Sequence, residues 1–218
     1  MSNTGLLDRH RAAGSPSADS FWSLPMHALP QLLLTALITG FAAAAAAAPL
    51  KYEIDPSHTF PSFEADHMGI SMWRGKMNKS SGTLLYDKSS GAGTVDVTVE
   101  LDSIDFGNEA LNAWGRGEHF FDTAKFPRAR YTARFDGFSA GVPTRLVGEL
   151  SLHGVSRPLQ LTIHSLKCIA HPLYKRELCG ADASGSFRRD EFGLDAGKDY
   201  GFNMDVGLHI QVEALVLP

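Results

Sequence analysis

Hydrophobic residues recur at every second position through most of this chain, and turn residues break the pattern at short intervals. That alternation constrains the fold more than any other feature. In Gly93–Ile104, GTVDVTVELDSI, the residues Val95, Val97, Val99 and Leu101 share one face, and Thr94, Asp96, Thr98 and Glu100 share the other. A strand with one buried side requires this, because successive side chains point to opposite faces. The same alternation runs through Tyr131, Ala133 and Phe135, through Leu159, Leu161 and Ile163, and through Val206, Leu208, Ile210, Val212, Ala214 and Val216. Turn signals fall at Gly82, Ser89–Gly93, Asp136–Gly137, Gly141–Pro143, His153–Gly154 and Gly193. The expectation is an all-β domain, an antiparallel barrel or sandwich of about eight strands. One short helix is expected over Asn108–Glu118, where Asn108 caps, Ala110, Leu111 and Trp114 form an apolar stripe, and Gly115 and Gly117 limit the length.

The stretch that follows, Glu118–Arg134 (EHFFDTAKFPRARYTAR), sets a Phe pair, a basic turn and a strand in close order. Asp122 and Thr123 can bond their own backbone, and Pro127 stops any helix. Taken alone it reads as a buried corner. Placed between the helix and a strand, it reads as a lid joining the helix to the end of the sheet.

Residues Gln31–Ala48, QLLLTALITGFAAAAAAA, are apolar and uncharged and end in small residues that fit an A-x-A cleavage site. Their length alone also permits a membrane span. The reading adopted is an export signal region over residues 1–48, cut between about Ala44 and Ala48, with Met26 an alternative start. Residues 49–218 then form one domain with room for a sizeable core. The formal charge of −4 leaves no basic footprint for nucleic acid and no electrostatic pull towards anionic lipid. Cys168 and Cys179 are the only cysteines, and an exported chain with an even count is expected to oxidise them to a disulfide.

A closed sheet of this size either fills with its own side chains or holds one small ligand. In Cys179–Arg189, Ala181, Ala183, Gly185 and Phe187 share a face, and three of these four are small. With Val97, Val99, Leu161, Ile163, Ile210 and Val212 as walls, they would enclose a dry, elongated cavity. Alternatively the small residues mark corners where a barrel bends.

Six ordered blocks carry a resemblance to a known family: YEIDPSHT (Tyr52–Thr59), FEADHMG (Phe63–Gly69), LDSIDFGNEALN (Leu101–Asn112), EHFFDTAKFPRARYTA (Glu118–Ala133), GELSLHGVSRPLQL (Gly148–Leu161) and FRRDEFGLD (Phe187–Asp195). The chain resembles the YceI-like family of exported polyisoprenoid-binding proteins. It differs from the commoner pattern in its cysteine pair and in Phe106-Gly107, where a Thr-Gly step is usual. The resemblance implies an antiparallel lipocalin-like barrel with one or two short helices, enclosing a long isoprenoid lipid such as a polyprenyl quinone. It implies no catalysis and no cofactor beyond that bound lipid. Periplasmic location, a membrane redox partner and a monomer or homodimer complete the expectation.

For such a ligand the tail dominates, since each methylene moved out of water contributes about 0.8 kcal/mol. The expected contacts are therefore Val97, Val99, Leu161, Ile163, Ala183, Ile210 and Val212, with Phe63, Trp73, Phe120, Phe121, Phe187 and Phe192 as aromatic walls or mouth. Arg128, Arg130, Arg188 and Arg189 are read as solvated charge or as partners of carboxylates. The rival reading is a metal-dependent periplasmic enzyme using His58 and His67, which lie near Asp55 and Asp66. Their spacing matches no HExxH motif, and a turn would have to bring them together. Hydrolysis by a serine elbow has no GxSxG to support it.

Overall fold

The computed structural model describes residues 48–218. Apart from Ala48, the expected export segment lies outside the described residues. In chain order the elements are β1 (Leu50–Ile54), β2 (Ser62–His67), β3 (Ser71–Met77), β4 (Ser80–Tyr86), β5 (Gly93–Glu100), β6 (Ile104–Asp105), α1 (Glu109–Arg116), β7 (Arg128–Ser139), β8 (Val142–Leu152), β9 (Val155–Ala170), β10 (Glu177–Arg188) and β11 (Asp205–Val216). Every strand pairing is antiparallel.

Strand β1 pairs with β4 on one side and with the end of β11 on the other, through Tyr52 opposite Val216 and Ile54 opposite Ala214. This closes a ring in the order β1, β4, β5, β7, β8, β9, β10, β11. The expected eight-stranded barrel is therefore present. Because β11 outruns β1, its first half pairs instead with β2, which carries β3 and β6 along that flank. Closure leaves the ring without free edges.

The alternation read from the sequence survives with local corrections. Gly82 is not a turn: it lies inside β4, where a Cβ would stand 2.2 Å from the Asp96 carbonyl oxygen, so the strands approach closely there. Asp136 and Gly137 lie inside β7, and the chain reverses at Ala140-Gly141, with φ of 50° and 81°. His153-Gly154 turns as expected, with φ of 52° and 78°. Positive φ at both central residues is the twist that a two-residue hairpin needs. In β9 the register slips, because Ala183 faces Ile163 while Asp182 faces Ser165. The bulge at His164 moves the inward phase from Leu159, Leu161 and Ile163 to Leu166 and Cys168.

Helix α1 is capped as expected, the Leu111 amide donating to the Asn108 side chain at 3.0 Å. Its buried positions are Asn112 and Gly115 rather than Ala110, which is exposed. Asn112 accepts from the Phe106 amide at 2.7 Å, while Gly115 lets the helix approach the Phe106 and Ile104 side chains. The helix is thereby fixed to β6 at one end of the barrel. Below it Met77, Leu101, Ile104, Phe121, Ala129, Leu152, Phe192 and Leu194 form a compact core.

Candidate functional site

The barrel encloses an elongated cavity of about 630 Å³. Its walls come from the predicted inward faces: Val95, Val97, Val99 and Leu101; Leu159, Leu161 and Ile163; Ala181, Ala183 and Phe187; and Val206, Leu208, Ile210, Val212 and Ala214. Tyr131, Phe135, Leu146, Leu150 and Leu166 complete the apolar tube. Period-two alternation alone therefore directs most of the lining.

At one end Ile54, Leu84, Cys179 and Ala214 form the floor. Tyr52 and Tyr86 pack beyond that floor and do not reach the cavity. The Tyr52 hydroxyl, on a fully buried side chain, donates to Glu177, which Lys88 also engages. Burial raises the Tyr52 pKa, and the Glu177 carboxylate raises it further. Cys168 and Cys179 stand directly opposite across β9 and β10 and are joined by a disulfide, with Cα atoms 4.0 Å apart.

The other end reaches solvent. Trp73 and Trp114 line the cavity yet remain 39% and 42% exposed. Trp73 stacks on His67, with ring centroids 3.9 Å apart, and Phe202 meets the same imidazole edge-on. Across the opening, Leu111 and Trp114 of α1 stand beside Phe120 and Phe121. The Phe121 amide donates to the Gly115 carbonyl, and the Asp122 amide to that of Gly117, which binds this segment to the helix. It thus borders the opening as the lid reading expected, while Phe121 also sits in the core.

Of the expected contacts, Phe63, Trp73, Val97, Val99, Phe120, Phe121, Leu161, Ile163, Ala183, Phe187, Ile210 and Val212 border the cavity, and Phe192 does not. Phe192 is 1% exposed and packs edge-to-face behind Phe187, with centroids 5.4 Å apart. Residue type cannot separate these two roles, since core and wall call for the same aromatic side chain. The small residues also divide. Ala181 and Ala183 leave space in the cavity, whereas a Cβ on Gly185 would lie 2.6 Å from Leu161, so the room there is already filled.

Three of the four arginines pair with carboxylates: Arg128 with Glu100 at 2.8 Å, Arg130 with Asp96 at 2.6 Å and Arg188 with Asp190 at 3.0 Å. Arg189 differs from the expectation. It is 7% exposed and donates to the backbone carbonyls of Leu194 at 2.6 Å and Ala196 at 2.7 Å. Burial lowers its pKa. The inward phase of Ala181, Ala183, Gly185 and Phe187 continues to Arg189 and leaves Arg188 on the solvent face, a signal in the alternation that separates the two.

His58 and His67 are not gathered into one ligand set. His58 groups with Asp55 and Glu213, while His67 lies in the aromatic stack at the opening. The Asp55–His58 hydrogen bond of 2.8 Å raises the His58 pKa. Burial pushes the Asp55 carboxyl up, but the Ser57 and His58 hydrogen bonds outweigh it and hold it below its ordinary range.

A closed antiparallel barrel, capped by one helix and hollowed by an apolar cavity, defines a lipocalin-like barrel. The chain belongs to the YceI-like family, whose domain model matches residues 52–214. A UPF0312 protein of Shewanella putrefaciens is 31% identical over 193 residues, covering 84% of this chain and 95% of the relative. Among solved structures, BcnA of Burkholderia cenocepacia shares the fold at TM-score 0.59 and 18% identity, over 73% of this chain and 98% of its own. A polyisoprenoid-binding domain from Saccharophagus degradans matches at TM-score 0.56 and 18% identity, over 77% and 99%. The YceI protein of Campylobacter jejuni matches at TM-score 0.57 and 22% identity, over 70% and 90%.

Proposed function

We propose that this protein binds and carries a long isoprenoid lipid, such as a polyprenyl quinone, within its barrel in the periplasm. The observation that carries the reading is the cavity: about 630 Å³, elongated and walled almost wholly by aliphatic and aromatic side chains. Each methylene transferred from water to such walls contributes about 0.8 kcal/mol, so a few isoprene units outweigh any one hydrogen bond. Ordering a flexible tail takes back part of that gain. Selection by length and width follows, with the lining residues as the binding set. The relative from Saccharophagus degradans, described as a polyisoprenoid-binding domain, supports the same ligand class. The disulfide and the signal-like segment before the barrel support an oxidising compartment outside the cytoplasm. Delivery to a membrane redox partner would make the protein a carrier rather than a store.

The test is organic extraction of the protein purified from a quinone-containing host, followed by mass spectrometry of the extract. A stoichiometric prenyl lipid is the expected result. An empty barrel that also fails to take up added prenyl lipid would overturn the reading.

A further inference from the structure

We propose that the open end of the barrel docks on a lipid bilayer, with the tip of the β2–β3 hairpin and the turn at Tyr200 entering the membrane surface. This rests on the lipid reading above and names the surface from which the ligand is drawn. Strand β2 pairs with the start of β11, Val206 opposite Ala65, so the turn at Met68, Gly69 and Ile70 stands beyond the last barrel pairing on that side. Its side chains are apolar and bare, Ile70 being 78% exposed and Met68 56%. Met72 and Trp73 continue the apolar strip along β3. Tyr200, 83% exposed, lies two residues from Phe202, which packs on His67 at the base of the hairpin. Trp73 also lines the cavity, so the strip is continuous with the wall of the apolar tube.

Nothing in the barrel requires the hairpin tip to be apolar. Met68 holds a φ of 60° and Gly69 one of 71°, and Gly, Asn or Asp fit such positions best. A long apolar side chain placed there and turned to solvent gains nothing within the fold. It gains against an apolar medium, in proportion to the area removed from water. What passes the opening identifies that medium. An isoprenoid tail crossing water gives up its burial at every methylene, so its transfer needs the mouth to meet the bilayer directly. Trp73, Trp114 and Tyr200 carry polar tips on apolar rings, the character of side chains at a membrane interface. Charge is not the attraction: Arg74 beside Trp73, Arg116 at the end of α1 and Lys198 before Tyr200 are held by Glu64, Glu109 and Asp190. Docking is therefore by insertion and does not depend on anionic lipid. A second copy fits less well, because a stable dimer needs about 800 Å² of packed surface from each partner, and the centre of this patch is an opening.

The experiment sediments the exported protein with sucrose-loaded vesicles of phosphatidylcholine, with and without added phosphatidylglycerol. Binding is expected to both, and is expected to persist at raised salt. Ile70→Asp should weaken it at least about tenfold. Leu173→Asp should leave it unchanged, since Leu173 is equally exposed, at 78%, but sits on the β9–β10 turn near the closed end. If Ile70→Asp does not fold, Met68→Asp reads the same loss, because Asp tolerates the left-handed backbone there. An unmodified protein left in the supernatant overturns the proposal, and so do Ile70→Asp and Leu173→Asp proteins that bind alike. A dimer that Ile70→Asp dissociates, in a protein that ignores vesicles, assigns the patch to a second copy and likewise overturns it. Lipid extraction reads the ligand separately. A protein that carries prenyl lipid yet ignores vesicles overturns the docking surface alone. One that binds vesicles through Ile70 but neither carries nor takes up prenyl lipid supports the docking surface and overturns the lipid reading.

Discussion

Trp114 of α1 lies against Phe120, with ring centroids 4.8 Å apart and planes 29° from parallel. Phe120 in turn meets Phe121 edge-on at 4.8 Å. The two neighbouring phenylalanines nevertheless do different things. Phe121 is 7% exposed and belongs to the core beneath the helix, whereas Phe120 is only partly buried. Phe121→Ala is expected to cost about 3–5 kcal/mol, as a large buried ring lost from a core does. Phe120→Ala should cost no more than about 2 kcal/mol while loosening the opening, so that less lipid survives purification. Urea melts read the first effect and lipid extraction the second. A Phe120→Ala protein that keeps its full lipid complement would show that this ring does not help retain it.

Ala183 offers a way to fill the tube without touching its frame. It lines the cavity on β10 opposite Ile163. Ala183→Phe directs a ring into space that a ligand would otherwise occupy, and a folded protein that copurifies without lipid is expected. Gly185→Ala is the contrasting change. Its added methyl meets Leu161 at 2.6 Å and the Gln160 carbonyl oxygen at 2.8 Å, so a loss of about 1–3 kcal/mol in stability is expected from overpacking.

The disulfide staples the β9–β10 hairpin beneath the cavity floor. Replacing both cysteines by serine should lower stability by about 3 kcal/mol on chain-entropy grounds. Chemical denaturation of the oxidised protein and the double variant measures the difference. If their midpoints coincide, the hairpin alone already supplies the constraint.

Asp190 is one of the carboxyls that make stability depend on pH. Hydrogen bonds from Lys198 and Arg188 hold its carboxyl near pKa 2, below its ordinary 3.8. A carboxyl pKa lowered by folding stabilises the protein above the unfolded value, and that contribution disappears as pH falls through the folded one. Asp190→Asn should therefore be less stable than the unmodified protein at pH 7. The gap should narrow from about pH 4 and close by about pH 2. Urea midpoints of both proteins across that range check it, and a gap independent of pH would refute the assignment.

How far the molecule could be read in advance depended on periodicity. Strands whose side chains alternate between wall and solvent, such as β5 and β11, placed their inward residues correctly from spacing alone. Where the period breaks, reading failed: the bulge at His164 is invisible in the residue types around it, and it alone decides that Leu166 and Cys168 face inward. Gly82 was mistaken for a turn because glycine signals both reversal and close approach, and only the neighbouring Asp96 backbone distinguishes them. The aromatic set sorted imperfectly for a related reason. Phe187 and Phe192 are five residues apart and chemically identical, yet the chain between them leaves the barrel wall and passes behind it. Arg189 was grouped with the solvated arginines although the inward phase of β10 reaches it; its backbone-carbonyl partners carry no sequence signature.

Among the described residues, the plug of Tyr52 and Tyr86, tied through Glu177 to Lys88, closes the barrel at that end and leaves the opening beside Trp73 and Trp114 as its entrance. An occupant must leave by the path it entered, so exchange is strictly sequential: one lipid has to depart before another can be accepted. The distance from floor to opening then acts as a ruler. For the isoprenoid occupant proposed above, a tail that fits would be shielded along its whole length, and each further isoprene unit would project beyond Trp73 and Trp114 into water, where it would add nothing to affinity.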